Sequence, residues 1–331
     1  MTGLTALLLI VLLAGFALAV PMHMRPTLPF GVQVAAVRAA DPAIVRTRRT
    51  YLLRVTAVSV IAVVVCVAAY GNALIAGTLA NSLVVAHGAC YVLAHRRLRE
   101  TKRAEWWQAE HRYGVTTDTT LRTDPVRVSL LWLTPAVVVM VVTMALGHWD
   151  IVIPMAVMTV LMPLAVRLGV RTRPDLDAAQ PVGSARRYRV YLRGTGRMLM
   201  LLVGATNLTI LLGATQSSEP FAAVPSLAVV IVFVAWSVRV GQAGHRLPKL
   251  PGEEDEDTGL TQRDDDRRWH LGGLVYLNRQ DPAVFVHKRV GIGWTMNLGH
   301  PVSWAVLVVL VLVAAMAGLG VVDLPQRENA F

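Results

Sequence analysis

The run Leu52-Leu53-Arg54-Val55-Thr56-Ala57-Val58-Ser59-Val60-Ile61-Ala62-Val63-Val64-Val65-Cys66-Val67-Ala68-Ala69-Tyr70, followed by Gly71-Asn72 and a second apolar run from 73 to 93, decides the fold class. As a helix, a run of ~20 apolar residues crosses the ~30 Å of hydrocarbon in a bilayer. Beyond Arg54 the first run carries no charge, and only a Gly-Asn turn separates it from the second. The two therefore read as a membrane hairpin. Arg46, Arg48 and Arg49 lie before it and Arg96, Arg97 and Arg99 after it, so both open ends are basic.

Working outward, comparable runs occur at 4–22, 128–146, 150–167, 197–215, 222–239 and 302–322. The chain of 331 residues is 54% hydrophobic and 16% charged, whereas charged residues make up about a quarter of a soluble domain. The expectation is an all-α, polytopic transmembrane bundle of about eight spans. Three in-out-in hairpins are flanked by single helices, with a small cytoplasmic C-terminal cap of short strands or turns. Net charge +11 raises the question of nucleic acid. All Lys and Arg except Arg327 fall in or beside four alternate loops, however, and the positive-inside rule accounts for that pattern without a nucleic acid. Those loops are then cytoplasmic, both termini outside, and the setting a bacterial plasma membrane. The expected partners are the bilayer and anionic headgroups at its cytoplasmic face.

The chain divides into residues 1–240 with seven helices and basic loops, an acidic linker at 241–265, the cap at 266–300, and a last helix with a short tail at 301–331. Ala17-Leu18-Ala19 has the small-x-small form of a signal-peptidase site. The absence of Lys or Arg before the first run argues for a retained helix instead. Pro26 and Pro29 block helix between Pro21 and Asp41, which leaves an ordered or extended strap. Asp41-Pro42 and Thr123-Asp124-Pro125 are helix-start signals. The third helix is expected to continue as a polar helix to about His111, ending near Gly114, with Trp106 and Trp107 either anchoring at the membrane surface or packing on loops. Pro135, Pro154 and Pro163 fall within the fourth and fifth spans. Arg186-Arg187-Tyr188 before the sixth span faintly echoes Arg48-Arg49-Thr50-Tyr51 before the second. Glu253-Glu254-Asp255-Glu256-Asp257 has nothing to bury and reads as a solvated tether.

Chemistry is sparse. The spans hold no Asp, Glu, Lys or Arg well inside, and no HExxH, GxSxG or P-loop occurs, so no catalytic, cofactor or metal residues are assigned. His87, with Cys90 and Tyr91 one turn on, sketches a metal or proton site but lacks further ligands, and reads as structural. Asp264-Asp265-Asp266 reads as solvated rather than cation-binding. Cys66 and Cys90 fall inside spans and offer no disulfide framework.

Specific structure concentrates instead in Asp266–Asn297, dense in Trp, Tyr, Phe, Gly and Asn. Leu274-Val275-Tyr276-Leu277 is a short strand pattern, Asn278–Pro282 a turn or helix-start signal, and Gly291-Ile292-Gly293-Trp294 a backbone that needs glycine. Trp269, Gly272-Gly273, Tyr276, Asn278, Asp281-Pro282, Phe285, Lys288-Arg289, Gly291, Gly293-Trp294-Thr295 and Asn297 resemble a bacterial domain-of-unknown-function family, number 5808. That family lies at the C-terminal end of polytopic proteins. Lys288-Arg289-Val290-Gly291-Ile292 followed by Trp294-Thr295 resembles, more distantly, the arginine-glycine-tryptophan-threonine motif of the SdpI immunity and signalling group. The resemblance implies a bacterial membrane protein without a known catalytic role.

The resulting expectation is a non-enzymatic sensing, immunity or regulatory membrane protein, with a small transporter or lipid-handling protein using the Pro-containing helices as the alternative. Trp269, Tyr276, Asn278, Asp281, Phe285, Lys288, Arg289, Gly291, Trp294 and Asn297 are the candidate recognition residues. Lys288 and Arg289 are expected as surface cations that meet a phosphate headgroup or an acidic protein partner.

Overall fold

The computed structural model of the protein describes residues 3–70, 72–107, 113–114, 123–172, 176–215, 221–253, 255–262 and 264–318. Its helices are α1 (Gly3–His23), α2 (Pro42–Ala68), α3 (Ala73–Ala104), α4 (Thr134–Ala145), α5 (Trp149–Gly169), α6 (Pro181–Thr215), α7 (Val224–Val240) and α8 (Pro301–Gly318). Among the described residues, six helical stretches are long and apolar enough to cross a membrane: Ala6–His23, Pro42–Ala68, Leu74–Ala104, Trp149–Gly169, Pro181–Thr215 and Val224–Gly244.

The expected fourth span is shorter, an apolar stretch over Leu130–Ala145. Residues 125–129 are non-helical, Leu130–Leu133 form a 3₁₀ turn, and α4 begins at Thr134 with Pro135 in its first turn. Proline has no N–H to donate, and a first turn is where a helix needs none. Pro135 therefore starts a helix where it was expected within a span, and Thr123-Asp124-Pro125 does not start the span. The polar extension of α3 is also shorter than expected. It stops at Ala104, and Gly114 lies in β1 (Tyr113–Gly114), paired in parallel with β2 (Thr261–Gln262). His111, Gly71, Glu254 and the loop at 216–220 lie outside the described residues, as does 319–331.

The helices are inverted relative to a soluble bundle. On α2 the buried residues are Ile44, Thr47, Tyr51, Val55, Ser59, Ala62 and Cys66, spaced three or four apart, while Leu53, Val60, Ile61 and Val64 are exposed. A face of small and polar residues turned inward, with large aliphatics outward, is what close helix approach in lipid requires. Within this packing Ser59 Oγ lies 3.0 Å from His87 Nε2, which gives His87 its partner. Asn207 on α6, with no exposed surface, donates to Ala136 O of α4 and Thr159 Oγ1 of α5.

α1, α2 and α3 pack on one another as one half-bundle. In the other, α6 is central and packs against α4, α5 and α7, while α1 meets α7 at the seam. The strap from 24 to 41 is ordered: Leu28, Phe30, Val32 and Val34 are buried, and the Phe30 ring lies edge-on to Tyr51 at 5.2 Å. Asp41 caps α2 by accepting from Ala43 N at 2.9 Å, as the Asp-Pro start requires. Of the tryptophan pair, Trp107 is buried with its Nε1–H on Glu105, while Trp106 is exposed.

The acidic run departs from the expected tether. Glu253 takes both Nε and Nη2 of Arg186, at 2.6 and 2.9 Å. Glu256 accepts from Val182 N and Gly183 N at 2.7 and 2.9 Å. Those amides belong to the first turn of α6, whose positive dipole end favours a carboxylate. Glu253 and Glu256 therefore dock on a helix start that composition alone does not single out.

Candidate functional site

The cap consists of two small antiparallel ribbons. β3 (Trp269–His270) pairs with β4 (Val275–Tyr276), and β5 (Phe285–His287) pairs with β6 (Trp294–Met296). Asn297, with no exposed surface, joins them. Its amide donates to Asn278 O, Asp281 O and Ala283 O at 2.9–3.1 Å, and its Oδ1 accepts from Asn278 N and Gly299 N at 3.0 Å. Only a planar group carrying two donors and a two-lone-pair acceptor satisfies such a set. Tyr276 OH donates to Asp281 Oδ2 at 2.9 Å and accepts from Asn278 Nδ2 at 3.0 Å. Burial pushes the Tyr276 phenol above its ordinary range.

Arg289 is the second centre. Its side chain is 4% exposed, it pairs with Asp265 and Asp266, donates to Gly31 O of the strap at 2.9 Å, and lies over the Trp269 ring at 5.2 Å. Asp266 and Asp264 also receive Lys102 Nζ of α3 at 2.7 and 2.9 Å. Burial pushes the Asp266 carboxyl upward against the pull of Lys102. Two expectations are corrected. Arg289 is a buried, hydrogen-bonded ion and not a surface cation, because three acceptors converge on it. The three aspartates are not merely solvated, because each meets a cation.

Lys288 is half-buried, and it is its backbone that is engaged: Gln242 Nε2 donates to Lys288 O at 2.7 Å. Phe285 is half-buried opposite Met296. Gly291 and Gly293 have φ of +79° and +90°, a turn that side chains disfavour, as expected.

The segment 286–294 lies across the seam. Tyr91 OH of α3 donates to Gly272 O at 2.8 Å. His23 at the end of α1 lies between Ser237 O of α7 (2.9 Å) and Gly291 O (3.3 Å). His287 packs on Tyr188 and Tyr191 of α6, each with centroids 5.7 Å apart. Trp294 fits against Gly169 at the end of α5, where a Cβ would come within 2.6 Å of the indole. Both half-bundles and the strap thus hold one short segment.

Beside the seam is a cavity of about 470 Å³ between the strap and the start of α6, with Arg25, Arg187, His245 and Lys249 facing Asp177 and Asp257. Burial lowers His245 to about 4, so its imidazole is neutral near pH 7. Arg187 is buried and reaches Gln180 Oε1 at 3.3 Å.

Of the ten sequence candidates, Trp269, Tyr276, Asn278, Asp281, Arg289 and Asn297 come together inside the cap, while Gly291 and Trp294 meet the helices. The reading missed Lys102, His23 and His287. For Lys102 a signal existed: it continues the stripe Tyr91, Ala94, Leu98 on the buried face of α3. A polar residue on such a face needs a partner.

Fold and site together define a mostly helical multi-pass membrane protein with a small polar C-terminal region seated on its helices. Within that region, residues 279–304 match the Family of unknown function (DUF5808). The match runs from the turn after β4 through Arg289 and Asn297 into α8. Comparison with curated proteins and with solved structures gives no match.

Proposed function

We propose that the chain is a non-enzymatic sensing, immunity or regulatory protein of a bacterial cell membrane, in which the cap registers the relative position of the two half-bundles. One observation carries this reading: segment 286–294 and its neighbours bond α1, α3, the strap and the turn after α7, and pack on α5 and α6. A shift of either half against the other breaks buried bonds in the cap, so two discrete arrangements are favoured over gradual deformation. The most reactive-looking groups, Asp264–Asp266 and Arg289, are consumed in holding that seat, which argues for a mechanical over a catalytic role. The distant likeness of Arg289-Val290-Gly291 and Trp294-Thr295 to the SdpI group supports the same direction. In this reading the basic end is cytoplasmic, the chain crosses eight times, and both termini lie outside.

The output surface is an exposed apolar row on the cap, Leu271, Leu274 and Leu277. Leu271 sits at φ +48°, a conformation a leucine adopts only at a cost, and it is 70% exposed. A photoreactive residue at Leu274 in the full chain, expressed in cells, is expected to crosslink a discrete protein partner. Crosslinks to lipid alone would remove the protein partner from the proposal. Solute flux in proteoliposomes would replace it with the transporter reading. Labelling of a cysteine at Glu253 by an impermeant reagent in intact cells would overturn the orientation.

A further inference from the structure

A second feature lies away from the cap, on the outer face of the α4–α6 half-bundle. A groove of about 760 Å³ runs between the non-helical segment 125–129, the 3₁₀ turn and α5. Its walls include Val160, Leu164 and Leu130, all exposed, with Val170 buried behind them. Arg127, Arg167 and Arg171 line the same groove, are exposed, and among the described residues join no ion pair. From Arg167 to Val160 a helix rises about 10 Å. The cations therefore stand at one end of an apolar trough about as deep as the outer half of an acyl chain. The shortness of α4 opens the trough: the helix begins only at Thr134, and the non-helical residues 125–129 before it line the groove beside α5.

We propose that this groove is a binding site for an anionic glycerophospholipid, its phosphate held by Arg127, Arg167 and Arg171 and one acyl chain lying along Val160 and Leu164. Guanidinium groups bind phosphate oxygens in pairs, and three of them without a carboxylate present a charge that a zwitterionic headgroup does not match. The site is independent of the cap's proposed role.

The full chain, purified in detergent, is titrated with phosphatidylglycerol and with phosphatidylcholine of the same acyl chains, and bound lipid is read by native mass spectrometry. Wild type is expected to retain phosphatidylglycerol in preference. Replacement of all three arginines by glutamine is expected to weaken retention on the order of a hundredfold, about fivefold for each cation near the surface. Glycerol phosphate, which carries the anion without the chains, is expected not to compete; competition would mean a soluble phosphate site and overturn the lipid. Equal retention of the two lipids, or unchanged retention by the triple variant, would overturn the proposal as well. A photoreactive phosphatidylglycerol on wild-type protein tests the place without any variant. Crosslinked peptides from 125–133 and 160–171 support the site, and crosslinks confined to other helices refute it.

Discussion

The helical bundle and the cap bury their residues by opposite rules. In the bundle, large aliphatics such as Val60, Ile61 and Ile153 face outward, while Ser59, Ala62, Gly204 and Thr159 are buried between helices. The cap buries Asn297, Asn278, Asp281 and Arg289 and bonds them to one another and to backbone. The difference follows from the solvent. Lipid gives no hydrophobic drive for apolar side chains to leave it, so shape and a few polar contacts select helix partners. In water, each polar group that the cap buries without a partner costs free energy, so its buried Asn, Asp and Arg side chains bond to one another and to backbone. The bundle is thus tolerant of polar loss, while the cap is held by it.

The largest test of that contrast is Asn297→Leu against Asn207→Leu. The first strands two backbone N–H donors and three carbonyls, and is expected to destabilise the cap by on the order of 4 kcal/mol. Hydrogen exchange of the amides at 275–300 reads it. The second removes bonds to Ala136 and Thr159 and is expected to cost only about 0.6 kcal/mol, by thermal unfolding in detergent. Equal losses would break the comparison.

Within the cap, Arg289→Gln is expected to cost about 3 kcal/mol, because it leaves the buried Asp266 with only one of its cations. Lys288→Gln next to it is expected to stay within about 0.5 kcal/mol. Limited proteolysis of the cap separates the two. A harmless Arg289→Gln would restore a recognition role for that charge.

At the boundary between the regions, Gly169→Leu forces a side chain into the Trp294 indole and is expected to cost about 2 kcal/mol. Trp294→Ala should relieve part of that cost in the double variant, since the two sites touch. Additive losses would mean that cap and α5 are not in contact.

The smallest effect concerns Glu253, whose carboxyl is held down to about 2, first by the hydrogen bonds from Arg186 and then by Leu250 N. A depressed carboxylate contributes stability that is complete above its ordinary value, 4.5, and is lost as pH falls through about 2. The Tm difference between wild type and Glu253→Gln is therefore expected to be small and constant from pH 7 to 5. It should disappear toward pH 2. A difference that vanishes by pH 5 would return the run to the status of a free tether.

Hydropathy and charge by themselves determined the membrane class, the helical runs, the Asp41 cap, the glycine turn at 291–293 and the aromatic C-terminal segment. Each depends on neighbours in sequence: a run long enough to cross hydrocarbon, a proline at a first turn, a φ that only glycine adopts freely. Tertiary structure decided which face of each apolar helix packs, because on α2 both faces are apolar and only the fit of Ser59, Ala62 and Cys66 against α1 and α3 distinguishes them. It also decided that Arg289 is buried while Lys288 beside it is not. That outcome rests on Asp265, Asp266 and Gly31 converging on one guanidinium from distant parts of the chain, a juxtaposition that no local pattern encodes.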